Sequence, residues 1–68
     1  MGSQKQIGRN LKKARLKARK TQVEVANASG IHVSYYSRIE RGVVNPSVEV
    51  LESIAKCLKV NSSQILPF

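Results

Sequence analysis

The 68-residue chain contains no aspartate, and its four carboxylate side chains are all glutamates. It offers no paired carboxylates at a workable spacing, no phosphate-cradling glycine loop and no metal-ligand cluster. Nothing in it therefore supports an enzyme, and no cofactor or small-molecule ligand is expected. One cysteine and one histidine, Cys57 and His32, form neither a disulfide framework nor a zinc site within the chain. A reducing cytoplasm is the expected compartment. No apolar run approaches the roughly 18 residues that span a membrane, and no signal peptide is visible, so no membrane partner is expected. Gln6 stands where N-myristoylation would require Ser or Thr after Gly2. A chain this short is one domain, residues 1–68, near the smallest size that a hydrophobic core holds together unaided.

Acids are also missing from one whole segment. Residues 1–20 hold Lys5, Arg9, Lys12, Lys13, Arg15, Lys17, Arg19 and Lys20 without a single glutamate. Beyond them Arg38, Arg41, Lys56 and Lys59 balance Glu24, Glu40, Glu49 and Glu52, so the net charge of +8 lies on the first segment. Polyanions are the natural partners of such a distribution. The plainer reading is a solvated helix face that keeps a small protein soluble.

No strand pattern, repeat or low-complexity stretch appears, and the fold class is all-α. Ile7, Leu11, Ala14 and Ala18 recur as the apolar stripe of a first helix, with Arg15 on its flank. Lys5, Arg9, Lys12, Lys13 and Leu16 face away from that stripe. Thr21 and Glu24 have the spacing of a capping box, so a second helix begins at about Gln22 and stops at Gly30. Ile31 packs in the turn, and a third helix runs over Val33–Arg41 to Gly42. Gln22, Ala26, Gly30, Ile31 and Ile39 stand at the spacings of a helix-turn-helix over about residues 22–41. Ala26 is small where the two helices cross, and Gly30 answers the need for positive φ. Pro46 then breaks the chain and Ser47 caps a fourth helix striped by Val48, Leu51, Ile54, Ala55 and Leu58. Asn61 or Ser62 caps a short fifth element carrying Ile65 and Leu66, and Pro67 ends it.

On the third helix Tyr36, Ile39 and Glu40 point inward, while Ser34, Arg38 and Arg41 point out, flanked by Tyr35 and Ser37. Val33 lies nearer the core in the first turn. Short hydroxyls, a tyrosine and two arginines, with no acid to repel phosphate, suit a major groove. A merely solvated face would more often mix Glu with Lys.

From Ile7 to Leu66 the chain resembles the Cro/repressor-like (XRE) helix-turn-helix family of phage and bacterial transcription regulators. The matching pieces are Ile7-Gly8, Arg15, Thr21-Gln22, Val25-Ala26, Gly30-Ile31, residues 37–42 and Asn45-Pro46-Ser47, with Leu51, Ile54-Ala55 and Leu58. The resemblance implies a five-helix, lambda-repressor-like DNA-binding domain whose third helix lies in the major groove. Carried over by position and combined with the outward face, it makes Val33, Ser34, Tyr35, Ser37 and Arg38 the base-reading set. Thr21, Gln22, His32, Arg41 and Asn45 are the phosphate-binding set. It also implies an ion pair between Arg15 and Glu40, in agreement with their inward positions.

Some residues depart from the family pattern. Arg19 and Lys59 replace the usual glycines after the first and fourth helices. Either they adopt the left-handed conformation at about 1 kcal/mol each, or the helices run longer. Lys20 replaces an apolar residue. His32 replaces a Ser or Thr cap, which weakens the cap, though its ring can still donate to phosphate. Tyr36 replaces an aliphatic residue and is expected to keep its ring in the core with its hydroxyl at an edge. Cys57 reads as a small packing residue beside the fourth stripe.

The expected function is a sequence-specific, double-stranded DNA-binding regulator on an operator of two half-sites. It is expected to work as a homodimer in the cytoplasm, on the nucleoid of a bacterial or phage-infected cell. Ile65, Leu66 and Phe68 crowd the end of the chain and form the candidate dimer interface; the alternative is that Phe68 folds over its own core. Two other functions fit part of the sequence. One is an antitoxin-type helix-turn-helix protein whose main partner is another protein, although no toxin-binding extension is present. The other is a cationic RNA- or membrane-surface module, suggested by residues 12–20 (KKARLKARK), which carry no aromatic and few large apolar groups.

Overall fold

The structure, a computed structural model, describes residues 3–66. Helices α1 (Ser3–Lys17), α2 (Gln22–Ser29), α3 (Val33–Arg41) and α4 (Val48–Leu58) are followed by a 3-10 turn over Ser62–Gln64. There is no strand among the described residues. Helix α1 packs on α3, α2 packs on α3 and α4, and the 3-10 turn closes against α4. The shared core is built from Ile7 and Leu11, Val25 and Ala26, Tyr36 and Ile39, the α4 stripe of Leu51, Ile54, Ala55 and Leu58, and Ile65. Every helix thus contributes one stripe to a single interior.

Local chemistry sets the boundaries. The Thr21 hydroxyl accepts from the Glu24 backbone N–H at 3.1 Å, and the Glu24 carboxylate accepts from the Thr21 N–H at 2.8 Å, a complete capping box. Ser47 caps α4 by accepting from Val50 N–H at 3.2 Å. Four residues in the left-handed conformation, Arg19, Gly30, Gly42 and Lys59, follow the four helices at φ between 58° and 75°. After each, the next N–H reaches back to the last turn, as in Lys20 to Arg15 at 3.2 Å and Val60 to Ala55 at 3.0 Å. The longer-helix alternative for Arg19 and Lys59 is therefore not the one adopted.

Glycine matters most where α1 crosses α3. A Cβ on Gly8 would lie 2.6 Å from the Ile39 carbonyl oxygen and closer still to that of Glu40. One on Gly42 would lie 2.7 Å from the Lys5 Cα. The backbones meet there with no room for a methyl group.

Several expectations need correction, the first being Val48, which is 68% exposed at the start of α4 and stands off the apolar stripe assigned to it. The fifth helix is a single 3-10 turn, because only three residues separate Asn61 from Ile65 and the Ile65 N–H bonds back to Ser62 at 3.0 Å. Ile65 does not offer an interface: it is 1% exposed, part of its own core, and its carbonyl accepts from Asn10 Nδ2 at 2.7 Å. Leu66 is half-buried against the same core, and Phe68 lies outside the described residues. Tyr36 is wholly buried, hydroxyl included, where an exposed edge had been expected.

Candidate nucleic-acid interface

The inner side of α3 is fixed by a polar cluster inside the α1–α3 contact. Arg15 Nε donates to Glu40 Oε2 at 2.7 Å and Nη2 to Oε1 at 3.2 Å, a two-point pair in which both residues are only 8% exposed. Arg15 Nη1 donates to the Lys20 carbonyl at 2.9 Å, and Gln22 Nε2 donates to Glu40 Oε1 at 3.0 Å. Burial pushes the Glu40 carboxyl up, but the Arg15 bonds, the nearby Tyr36 hydroxyl, the Gln22 amide and the Arg15 charge together hold it below its ordinary value. The Glu40 bond raises the Arg15 guanidinium in turn. The Tyr36 hydroxyl, pushed up by burial and then by Glu40, stays neutral; it lies beside the pair without a hydrogen bond of good geometry to it.

On the opposite side Ser34, Arg38 and Arg41 are exposed, and Ser37 is half-exposed. Val33 and Tyr35 are half-buried against the core. The nine residues of α3 contain one acid, Glu40, and it is on the inner side. Of the five residues expected to read bases, the structure leaves Ser34 and Arg38 exposed and Ser37 half-exposed, and it packs Val33 and Tyr35 partly into the core.

Of the five residues expected to bind phosphate, three already have partners within the protein. Thr21 uses its oxygen as the α2 cap, which leaves its hydroxyl hydrogen; the Glu24 carboxyl beside it is held low by its bonds to Thr21. Gln22 is bonded to Glu40. His32 is exposed and caps α3 outright: its Nδ1 accepts from the Ser34 N–H at 3.1 Å and lies 2.8 Å from Ser34 Oγ. An imidazole nitrogen replaces the missing hydroxyl, so the expectation of a weakened cap is revised. Accepting at Nδ1 places the ring proton on Nε2, as a free donor at the start of α3. Arg41 and Asn45 are exposed, Asn45 in the loop before α4.

Sequence reasoning missed the Gln22–Glu40 bond, the Arg15–Lys20 bond and the role of Gly8. The one available signal was Gly8 falling on the same flank of α1 as Arg15, which a wheel shows once the partner helix is known. The basic residues Lys5, Arg9, Lys12 and Lys13 are exposed, as their positions on the wheel require, and Leu16 is 56% exposed beside them. No helix among the described residues is long and apolar enough to cross a membrane.

A second helix tied inward through Gln22 and a third helix whose outer side carries no acid form a helix-turn-helix. The chain belongs to the helix-turn-helix family, whose model HTH_3 matches residues 11–65. It is 35% identical over 60 residues to the immunity repressor protein of Bacillus phage phi105, covering 88% of this chain and 42% of that protein. It is 36% identical over 63 residues to the control protein C.BamHI of Bacillus amyloliquefaciens, covering 91% of this chain and 78% of that one. The solved structure of the clp gene regulator ClgR from Corynebacterium glutamicum matches with a TM-score of 0.89 at 29% identity, over 91% of this chain and 66% of that chain. This chain spans less than half the length of the phage repressor.

Proposed function

We propose that the chain is a sequence-specific, double-stranded DNA-binding transcription regulator that acts by occupancy, without catalysis. The observation that carries this reading is the outer side of α3, where Ser34, Arg38 and Arg41 are exposed with no acid beside them on the helix, and neither arginine is held in an ion pair among the described residues. In a major groove, Arg38 offers a two-donor fork suited to guanine, and Ser34 and Ser37 offer hydroxyls to base edges. Val33 and Tyr35 supply apolar contact. Thr21, Gln22, His32, Arg41 and Asn45 grip phosphates on either side. Lys5, Arg9, Lys12 and Lys13 draw the duplex in from a distance, an effect that fades once salt shortens the Debye length below about 8 Å.

One such helix reads only about four or five base pairs, so two copies are needed on paired half-sites about 34 Å apart. Leu66 and Phe68 are the residues proposed for the contact between copies, and the site of action is the bacterial or phage-infected cytoplasm. Selection of bound duplexes from a random pool tests the whole reading. The expected result is a short half-site repeated with two-fold symmetry; recovery of duplexes with no common sequence would defeat it. Sedimentation of Phe68→Ala at micromolar concentration tests the dimer separately, and unchanged self-association would remove Phe68 from it.

A further inference from the structure

Gln22 opens α2 and Glu40 lies near the end of α3, yet their side chains meet at 3.0 Å. The Glu40 oxygen that receives Gln22 also receives Arg15 Nη2 at 3.2 Å, and its other oxygen receives Arg15 Nε at 2.7 Å. Through Nη1, Arg15 also holds the Lys20 carbonyl at 2.9 Å, one residue before the α2 cap. A single buried ion pair therefore anchors both the backbone entering α2 and the first side chain on that helix.

The chemistry of the amide sets its direction. A side-chain amide has an oxygen end and a nitrogen end of nearly equal shape, and a free glutamine presents either. A carboxylate can only accept, so Glu40 selects the NH2 end. One N–H is used on Glu40, and the second remains to donate at the start of α2. A phosphate oxygen also only accepts, and an amide turned the other way would confront it with a carbonyl. Arg15 matters here for charge as well as alignment, since a bare carboxylate at this place would repel the same phosphate.

We infer that Glu40, aligned and neutralised by Arg15, is a positioning residue for DNA binding: it holds the Gln22 amide with an N–H directed at the duplex backbone. The inference rests on the proposed phosphate contact of Gln22. It makes the ion pair part of the grip on DNA as well as a brace between α1 and α3.

A double-mutant cycle on affinity for a random-sequence duplex at low salt tests it. Arg15→Met with Glu40→Leu replaces the pair by apolar groups of similar bulk, an exchange that folded proteins often tolerate. Far-ultraviolet circular dichroism and a dispersed amide spectrum establish that this variant is folded. Gln22→Ala in the wild-type chain should weaken binding about threefold to tenfold, the loss that goes with one immobilised side chain. The paired replacement should weaken it by a similar factor, and adding Gln22→Ala to it should change nothing further. An equal loss from Gln22→Ala in both backgrounds would overturn the inference and leave the pair as a structural brace. No loss in the wild-type background would remove the Gln22 contact itself, and absence of duplex binding by the wild-type chain would defeat the proposed function first. Should the paired variant not fold, relaxation of the Gln22 side-chain amide in the wild-type protein decides. A side-chain order parameter approaching that of rigid backbone, about 0.85, is expected, and one below about 0.6, in the range of flexible segments, would overturn it.

Discussion

Tyr36, Ile39 and Glu40 share one nine-residue helix with Ser34, Arg38 and Arg41, and the two sets have opposite surroundings. The inner three are buried, with Glu40 bonded to groups from α1 and α2. On the outer side, Arg38 and Arg41 form no ion pair with any described residue. The difference shows how a domain this small can present a precise surface: the two outward arginines stay unpaired while the opposite side of the same helix is held at several points. Substitutions on the inner side should therefore move stability, and those on the outer side should move recognition alone.

The largest expected break of that contrast is Glu40→Ala. It leaves the Arg15 guanidinium buried without its partner and should lower stability by roughly 3–5 kcal/mol in urea unfolding. A loss no greater than that of an exposed substitution would show the pair to be dispensable. The same carboxylate governs acid sensitivity. Its folded pKa is below the ordinary value of 4.5, so its contribution is complete above that value and is lost as pH falls through the folded pKa. Stability should therefore drop on the acid side, and Arg15→Met with Glu40→Leu should flatten the drop, leaving the share of the exposed Glu24, which is shifted in the same direction.

Next in size is Gly8→Ala. Its added methyl group meets the Ile39 and Glu40 carbonyls, forces α1 off α3 and should destabilise by about 1–3 kcal/mol. The thermal midpoint measures it, and an unchanged midpoint would mean that the two helices can separate freely. Arg38→Ala sharpens the comparison from the outer side. It should relax preference at one base pair per half-site by about 1–3 kcal/mol with the thermal midpoint unmoved. Equal affinity and preference before and after would show that another surface reads the bases. Smallest is Arg19→Gly, which relieves a left-handed side chain and should raise stability by about 1 kcal/mol or less in urea unfolding. A fall in stability would show that the arginine side chain contributes more than its backbone strain takes away.

How much of this was readable from the chain depends on the distance over which each feature acts. The Thr21–Glu24 box, Gly30, Gly42, the Ser47 cap and the two sides of α3 involve residues within about one helical turn, and composition and period reveal them. The meeting of Arg15 with Glu40 followed from their inward positions together with the family resemblance. Gly8 was not readable, because its importance comes from a carbonyl on another helix. Nor was the Asn10–Ile65 bond, whose partners are 55 residues apart. Ile65 was misplaced for the same reason, since a terminal apolar residue looks unpartnered until the space between α1 and α4 is known. His32 was misjudged because its type is an unusual cap, and only the ring geometry shows the acceptor on Ser34 N–H.

The bond from Asn10 to the Ile65 carbonyl, 2.7 Å long, has a consequence at the scale of the operator. It ties the end of the described chain to α1, and α1 meets α3 at Gly8 with no slack. If two copies join through Leu66 and Phe68, the path from the joint to each reading helix is short and stiff. The pair then behaves as a ruler of nearly fixed length and phase. One base pair inserted between half-sites turns the second site by about a tenth of a helical revolution. A flexible connection would absorb that rotation, whereas this one passes it on as a misfit at the far groove. In such a pair, spacing between half-sites would be read by the protein scaffold, without any contact to the bases that lie between them.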